Sequence, residues 1–323
     1  MKELYGKYFM KQKMMRTVLI PLCVIALYAI YTFGWRVLAL LLLNLIAAVV
    51  VEYVCERKIF NKKKISEAVI ITSILYTMTL PVSLPFWISA AGIAFGVFFG
   101  KMVFGGFGKN VFNPALVGRA FIYINFANPL TIFWNEAAQG LPGGFGAYIL
   151  PHIDAVTTAT PMLLFRNGGE LTDLVNLLIG NVPGVIGETS KILILISAVY
   201  LIYKKVASWE IMAGTVLGFA ALSSVFYFMG VESVPNPIYG MLIGGFLFGT
   251  VFMATDPISA AKTVPGKWMY GIIIGVVTVI IRGFALFSGG MMFAILMGNL
   301  FAPIIDYAVK QRAANKKAKE AAV

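Results

Sequence analysis

The feature that most restricts the fold of this chain is a series of about ten apolar stretches, several of them near the roughly 20 residues that a bilayer-spanning helix needs. Hydrophobic residues make up 59% of the sequence and charged residues 12%. This composition excludes a soluble enzyme, a disordered scaffold and a nucleic-acid-binding protein. We therefore predict an all-α polytopic membrane protein with about ten transmembrane helices. The stretches lie at 17–33, 37–55, 68–80, 86–104, 115–133, 192–203, 211–229, 238–254, 268–281 and 291–309.

The net charge of +12 is distributed unevenly between the two sides of the predicted membrane region. Lys and Arg crowd the segments 1–16, 56–64, 204–205 and 310–323, and Lys101 and Lys109 flank the end of the fourth stretch on the same predicted side. The intervening loops carry mostly acids, Glu188 among them. Cytoplasmic loops retain positive charge, so both termini are predicted to be cytoplasmic. The segment 1–16 is basic and aromatic, and is expected to lie at the membrane interface. The surplus charge thus indicates topology and lipid contact, and no nucleic-acid partner is predicted.

One long segment, 134–191, interrupts the apolar stretches and is predicted to be extracytoplasmic. It separates a membrane half at 17–133 from a second half at 192–309, with five stretches in each. An odd number per half means that a duplicated unit would insert upside down, so a 5+5 inverted repeat is predicted. The segments 96–104 and 244–252 echo each other as glycine- and phenylalanine-rich ends of apolar stretches.

Two of the apolar stretches are short, and glycine and proline interrupt others. The stretch 68–80 stops at Pro81, and 192–203 is brief. Discontinuous helices at membrane depth occur where protein groups or a wet cavity satisfy the freed backbone. Broken helices are therefore predicted, and with them a site for a solute, an ion or a cofactor.

A cluster of hydroxyl residues lies in the segment 134–191. By composition alone, Asp154, Thr157, Thr158 and Thr160 are typical of a helix cap before Pro161. The same residues, with Ala159, resemble the Asp-x-x-Ser/Thr-x-Ala-Thr pattern that flavin transferases modify. Thr158 stands where Gly is common in that pattern.

Two further segments carry a resemblance that extends over nearly the whole chain. Asn-Pro-Ala-Leu-Val-Gly-Arg-Ala-Phe at 113–121 and Ala-Thr-Asp-Pro-Ile-Ser-Ala at 254–260 resemble segments of one membrane family. That family is the NqrB/RnfD family. Its RnfD members belong to the Rnf complex and are similar to the NqrB members, which belong to the Na+-pumping NADH:quinone reductase. The length of the chain is more similar to that of the Rnf protein.

The resemblance implies a redox function. It implies FMN attached to Thr160 by a phosphoester and riboflavin as a second, noncovalent cofactor, with Asp154 recognised by the flavin transferase or acting as a helix cap. It further implies an Rnf-type ferredoxin:NAD+ oxidoreductase complex that moves Na+ or H+ across a bacterial or archaeal cytoplasmic membrane. The other Rnf subunits would be partners, since this chain has no dinucleotide or iron–sulfur pattern of its own. No catalytic residue is assigned to it, and the flavin would carry the electrons.

Asn113 and Arg119 are candidate flavin contacts near the cytoplasmic end of the fifth stretch. A buried arginine is costly unless a backbone group, an acid or a ligand pairs with it. The favoured alternative for Arg119 is a structural brace between half-helices.

The remaining polar residues give weaker indications. Asp256 is expected to cap a helix, with cation binding as the alternative. Glu52 and Asp306 are expected to reach the membrane interface. His152 is the sole histidine, so no metal site is predicted.

A channel or secondary transporter without redox function is the rival hypothesis. It would use the same broken helices and inverted halves, and the Rnf protein is itself similar in fold to urea transporters. Only the segment from Asp154 to Thr160 discriminates between the two hypotheses, because a flavin tether has no use in a simple pore.

Overall fold

The structure is a computed structural model that describes residues 8–62, 64–138, 140, 142–148, 160–188, 190–285 and 289–321. Thr160 falls within this part of the chain. The predicted motif residues Asp154, Thr157, Thr158 and Ala159 lie outside the described residues.

The described residues form an almost entirely helical structure, which confirms the all-α polytopic class. The first five α-helices are α1 (Lys13–Phe33), α2 (Arg36–Lys58), α3 (Ala68–Met78), α4 (Phe86–Val97) and α5 (Pro114–Asn125). The short helices α6 (Ala127–Thr131), α7 (Pro161–Arg166) and α8 (Leu174–Ile179) follow. The chain continues with α9 (Lys191–Tyr203), α10 (Trp209–Phe228), α11 (Pro237–Leu242), α12 (Phe246–Phe248), α13 (Val264–Phe284) and α14 (Gly290–Ala321).

Five of the helices within the described ranges are long and apolar enough to cross a membrane, namely α1, α2, α10, α13 and α14. The other predicted stretches are short or interrupted. The stretches 68–80 and 192–203 correspond to α3 and α9, with 11 and 13 residues. The prediction of broken helices is confirmed, and the inverted relation of the two halves stays a prediction.

The two echoing segments, 96–104 and 244–252, both run into a π-helix. The first π-helix is Phe98–Met102 and the second is Gly249–Met253. Each is closed by a hydrogen bond between residues five apart, since Val103 N–H donates to Phe98 O at 2.9 Å and Ala254 N–H donates to Gly249 O at 2.8 Å. Such segments are rare and are found frequently at functional sites.

Glycine lets two pairs of helices approach each other closely. A Cβ atom at Gly96 of α4 would lie 2.4 Å from Pro114 O at the start of α5. A Cβ atom at Gly275 of α13 would lie 2.2 Å from Thr215 O of α10. Small residues at such crossings allow backbones to pack in a membrane, where apolar side chains gain nothing by leaving lipid.

The N-terminal end of the chain is tied to the loop after α2. Strand β1 (Phe9–Met10) pairs in parallel with strand β2 (Ile65–Ser66), and Arg16 forms an ion pair with buried Glu67. Asp306 lies in the middle of α14, where it accepts hydrogen bonds from Thr263 N–H at 2.9 Å and Thr263 Oγ1 at 2.6 Å. Asp306 therefore stabilises the start of α13.

The structure corrects two expectations about charged residues. Glu52 does not reach the membrane interface, and Lys101 is not one of the exposed basic residues that flank the fourth stretch. Both are buried, with 0% and 2% of the side chain exposed, and Lys101 Nζ lies 2.6 Å from Glu52 Oε2. Ser66 N–H donates to the other carboxylate oxygen at 3.1 Å. The sequence positions alone suggest two surface charges, but each charge here neutralises the other inside the protein.

Candidate functional site

Two cavities lie at opposite ends of α9. The Thr160 cavity is lined by Lys191, the first residue of α9, and the Asn113 cavity is lined by Leu201 near its end. Helix α3 is shared in the same way, since Leu75 lines the Asn113 cavity and Met78 the Thr160 cavity. The broken helices thus enclose two chambers, one toward each end of the bundle.

The Thr160 cavity covers about 860 Å³ of space, part of it open to solvent, and Thr160 lies in its wall at the start of α7. The Thr160 Oγ1 atom accepts a weak hydrogen bond from Leu163 N–H at 3.4 Å. Threonine followed by proline is a favourable N-cap and first-turn pair, because the hydroxyl binds a free N–H and proline lacks one. The cap places the hydroxyl oxygen of Thr160, a partly buried residue, at the cavity surface.

Three cations line this cavity, and each comes from a different helix. Arg119 projects from α5, Lys191 from α9 and Arg282 from α13. Arg282 Nη1 donates to Gly240 O at 2.7 Å, and Lys191 Nζ donates to Glu188 O. Among the described residues, the buried Nε atoms of Arg119 and Arg282 have no hydrogen-bond partner. An unpaired guanidinium N–H inside a membrane protein needs a ligand or water to offset its desolvation.

Glu188 is the single acid among the described residues that line the cavity. It lies in the turn Ile186–Glu188 and interacts electrostatically with Arg119, Lys191 and Arg282. Its carboxylate is not within 4.0 Å of the charged nitrogens of these cations in the part of the chain that the structure describes. The lining therefore carries an excess of positive charge.

Two consecutive glycines allow the chain to pass beside this charged group. A Cβ atom at Gly245 would lie 2.7 Å from Glu188 Oε1, and one at Gly244 would lie 3.0 Å from Arg282 Nη2. Gly244 also has a φ of 63°, which disfavours other residues. The glycine pair between α11 and α12 thus gives Glu188 and Arg282 the space they occupy.

The uncharged part of the wall is rich in methionine, with Met78, Met253, Met291 and Met292. Thioether side chains adapt to irregular shapes and pack favourably against aromatic rings. The lining thus combines a threonine, an apolar wall and buried guanidinium Nε atoms without a described partner. A flat ring that bears a phosphate would need groups of this chemistry.

The Asn113 cavity covers about 720 Å³ of space, part of it open to solvent, and its lining differs in charge from that of the Thr160 cavity. Its Lys101 is paired with Glu52, and Asp256 accepts hydrogen bonds from Ser259 Oγ at 2.6 Å and Ser259 N–H at 3.3 Å. Asn113 caps α5, accepting from Ala115 N–H at 3.0 Å. The charged groups of this lining are thus satisfied by protein, and Asp256 holds a turn and does not cap a helix.

The structure separates the two residues predicted as flavin contacts from the fifth stretch. Asn113 lines one cavity, whereas Arg119 lines the other with Thr160. Sequence reasoning missed Lys191 and Arg282 as site residues and treated Glu188 only as an extracytoplasmic acid. In the sequence, Lys191 and Arg282 each lie at the end of an apolar stretch, and a Gly-Gly pair interrupts another.

The described residues contain no cluster of three or more His, Cys, Asp or Glu side chains arranged for one metal ion.

The chain matches known proteins over most of its length. Residues 8–315 match the NQR2, RnfD, RnfE family. The chain is similar to the B subunit of the Na(+)-translocating NADH-quinone reductase of Azotobacter vinelandii, with 44% identity over 264 residues, or 78% of this chain and 62% of the relative. The protein of the same name from Klebsiella pneumoniae is 41% identical over 271 residues, covering 78% and 62%. That from Yersinia pestis is 42% identical over 270 residues, covering 81% and 63%. The chain thus spans less than two thirds of the length of these relatives.

Proposed function

This chain belongs to the NQR2, RnfD, RnfE family, and from that membership we propose that it is the membrane subunit of an ion-translocating oxidoreductase that holds FMN on Thr160. The observation that carries the proposal is the position of the Thr160 hydroxyl in the wall of a cavity lined by three cations and one acid. A threonine hydroxyl has no redox chemistry of its own, so its use here is as a tether. FMN when bound supplies the capacity to accept and release electrons.

The residues of this chain would hold and shield the cofactor. Arg119, Lys191 and Arg282 supply positive charge for a phosphate, and the methionines supply an apolar wall for a ring. Asp154, Thr157, Thr158 and Ala159 form the segment that a flavin transferase would recognise before it modifies Thr160. The broken helix at Gly244 and Gly245 makes room for the charged groups.

The Asn113 cavity is our candidate for the second flavin, riboflavin. Riboflavin lacks a phosphate and is uncharged, which suits a cavity whose charged groups are already paired. Asn110, Asn113 and Thr255 line the wall and offer amide and hydroxyl groups to a ribityl chain and a ring edge. A phosphorylated flavin would find no unpaired cation among the described residues of this lining.

The two cavities are close together along α5. Asn113 at its N-cap and Arg119 within it are separated by about 9 Å along a helix that rises 1.5 Å per residue. Between the cavities lies the second π-helix, since Gly249 and Met253 line the Thr160 cavity and Val251 and Phe252 the Asn113 cavity. Residues of this π-helix would therefore separate the two proposed flavin sites, and bound flavins would supply the redox chemistry.

We further propose that the assembly is of the Rnf type, with ferredoxin and NAD+ as its overall substrates and other membrane and peripheral subunits as partners. The resemblance of 113–121 and 254–260 to the NqrB/RnfD family supports an ion-translocating oxidoreductase, within which we assign the chain to the Rnf branch. Because Lys and Arg favour the cytoplasmic side, the Thr160 cavity would open toward the outside of a bacterial or archaeal cytoplasmic membrane. The Asn113 cavity would open toward the cytoplasm. Coupled movement of Na+ or H+ would involve the neighbouring subunits.

The test of the FMN site is expression of the chain with its partner subunits in a host that has the flavin transferase. Denatured, washed protein should keep flavin fluorescence on a gel, and Thr160→Ala should abolish it. The matched control is Thr172→Ala, in the same predicted extracytoplasmic segment, which should keep the fluorescence. Fluorescence retained in Thr160→Ala would refute the site assignment. Wild-type chain that lacks covalent flavin but accelerates solute flux in vesicles would favour the channel hypothesis.

The Rnf assignment is tested with the purified complex. Oxidation of reduced ferredoxin by NAD+ should proceed with this complex and stop when the membrane subunit is omitted. A complex that instead oxidises NADH with a quinone, and leaves ferredoxin unchanged, would assign the chain to the quinone reductase branch of the family.

A further inference from the structure

We propose that Arg119 and Glu188 set the redox potential of the flavin in the Thr160 cavity, Arg119 raising it and Glu188 lowering it, by acting on negative charge at the ring. This inference rests on the proposed attachment of FMN to Thr160. It makes both residues positioning residues for charge, since the flavin itself performs the electron transfer.

The balance of charge in the lining motivates the proposal. Among the described lining residues, three are cations, and Glu188 compensates one of them. A phosphodiester at Thr160 would bring one negative charge and compensate a second cation. One positive charge would remain uncompensated in a buried site, where charges interact more strongly than in water. An added negative charge on the ring would neutralise it.

Arg119 is the cation best suited to this role, because no described residue accepts a hydrogen bond from its Nε atom. The buried arginine Arg36 is a brace: its Nε donates to Val82 O at 2.8 Å and its Nη2 to Leu84 O at 3.0 Å. Arg282 likewise donates to Gly240 O. For Arg119, by contrast, the buried Nε has no hydrogen-bond partner among the described residues. The Arg119 side chain is partly exposed and lines the cavity.

The step on which these charges act is the one-electron reduction of the flavin ring. A one-electron carrier of the complex loses one electron, and the oxidised ring gains it. Until a proton is taken up, the ring has one more negative charge than before. A nearby guanidinium favours this product over the neutral oxidised ring, and a nearby carboxylate disfavours it. The potential of the couple therefore rises with Arg119 and falls with Glu188.

The experiment is a potentiometric titration of purified, flavinylated complex, followed by the absorbance of the FMN on Thr160. Arg119→Gln should lower the equilibrium constant for the first one-electron reduction about tenfold, which is about 59 mV for a one-electron couple. Glu188→Gln should shift the potential in the opposite direction. Arg119→Lys keeps the charge and should retain most of the potential. Ile280→Leu, an uncharged change at an exposed position of α13 outside the cavity lining, should leave the potential unchanged.

Opposite shifts separate this proposal from simple damage to the cavity, which would move both variants in one direction. Shifts of the same sign in Arg119→Gln and Glu188→Gln would overturn it, as would an unchanged potential in either variant. If Arg119→Gln does not accumulate, Glu188→Gln alone decides, because only a rise supports the proposal. Absence of covalent flavin from the wild type would instead refute the proposed function.

Discussion

Asn113 and Asn299 join distant parts of the chain through a buried hydrogen bond, in which Asn113 N–H donates to Asn299 Oδ1 at 3.2 Å. The Asn299 amide also donates to Tyr270 OH at 2.8 Å and Ser259 O at 3.3 Å. Asn299 has no exposed surface. One side chain on α14 therefore holds the start of α5 against the start of α13 and the turn that follows the second π-helix.

Replacement of Asn299 should destabilise the helix bundle. Asn299→Leu is similar in size but leaves Asn113 N–H and Ser259 O without a partner, and each unsatisfied buried group costs about 1–3 kcal/mol. Unfolding in detergent by heat or SDS measures the loss. Asn315→Leu, at an exposed position of the same helix, is the control and should change stability by less than about 0.5 kcal/mol. Equal stability of Asn299→Leu and wild type would show that the network contributes nothing.

The buried pair of Glu52 and Lys101 should show strong coupling. Lys101→Met leaves a buried carboxylate without its countercharge and should cost about 3–5 kcal/mol. Glu52→Gln should have a comparable effect for the same reason. The double variant Glu52→Gln/Lys101→Met removes both charges and should recover much of the loss. A double-mutant cycle by thermal unfolding measures the coupling, and strictly additive losses would contradict a direct pair.

The glycine crossing of α10 and α13 should tolerate no side chain. Gly275→Ala places a Cβ atom 2.2 Å from Thr215 O, so the helices must separate. Overpacking of this kind costs about 1–3 kcal/mol. Ile280→Ala, at a position of α13 with 45% exposure, is the control and should have a smaller effect. A wild-type unfolding midpoint for Gly275→Ala would mean that the crossing is looser than the structure shows.

The predicted orientation can be tested with single cysteines in a chain that carries Cys23→Ala and Cys55→Ala. Glu170→Cys and Lys204→Cys are both at exposed positions, so either can react if it faces the reagent. An impermeant maleimide should label Glu170→Cys in intact spheroplasts, and Lys204→Cys only after permeabilisation. The reverse pattern would invert the topology and place Thr160 on the cytoplasmic side.

Hydropathy predicted the class of fold well because burial in lipid imposes a long local pattern on the chain. Each of α1, α2, α10, α13 and α14 corresponds to an apolar stretch visible in the sequence. The interruptions were also visible, since Pro81 and the Gly-Gly pair at 244–245 disrupt regular helices. The π-helices were not predicted, because a register of five residues is imposed by tertiary packing and has no distinct apolar period.

The candidate site was only partly predictable, because its members meet through the fold. Thr160 stands out through its motif, but nothing near it in the sequence indicates Arg119 or Arg282. Lys101 was assigned to a cytoplasmic loop, since its partner Glu52 lies on another helix and no local pattern connects the two. A single sequence does not show which charged residues pair across distant parts of the chain.

The second π-helix has a consequence for insertions and deletions. Within Gly249–Met253, Gly249 and Met253 line one cavity and Val251 and Phe252 line the other. A turn of π-helix holds one residue more than a turn of α-helix. Deletion of a single residue here would therefore restore α-helical bonding and leave the flanking segments in register, but it would remove one residue from a cavity wall. The extra residue lets a single turn contribute to both cavities.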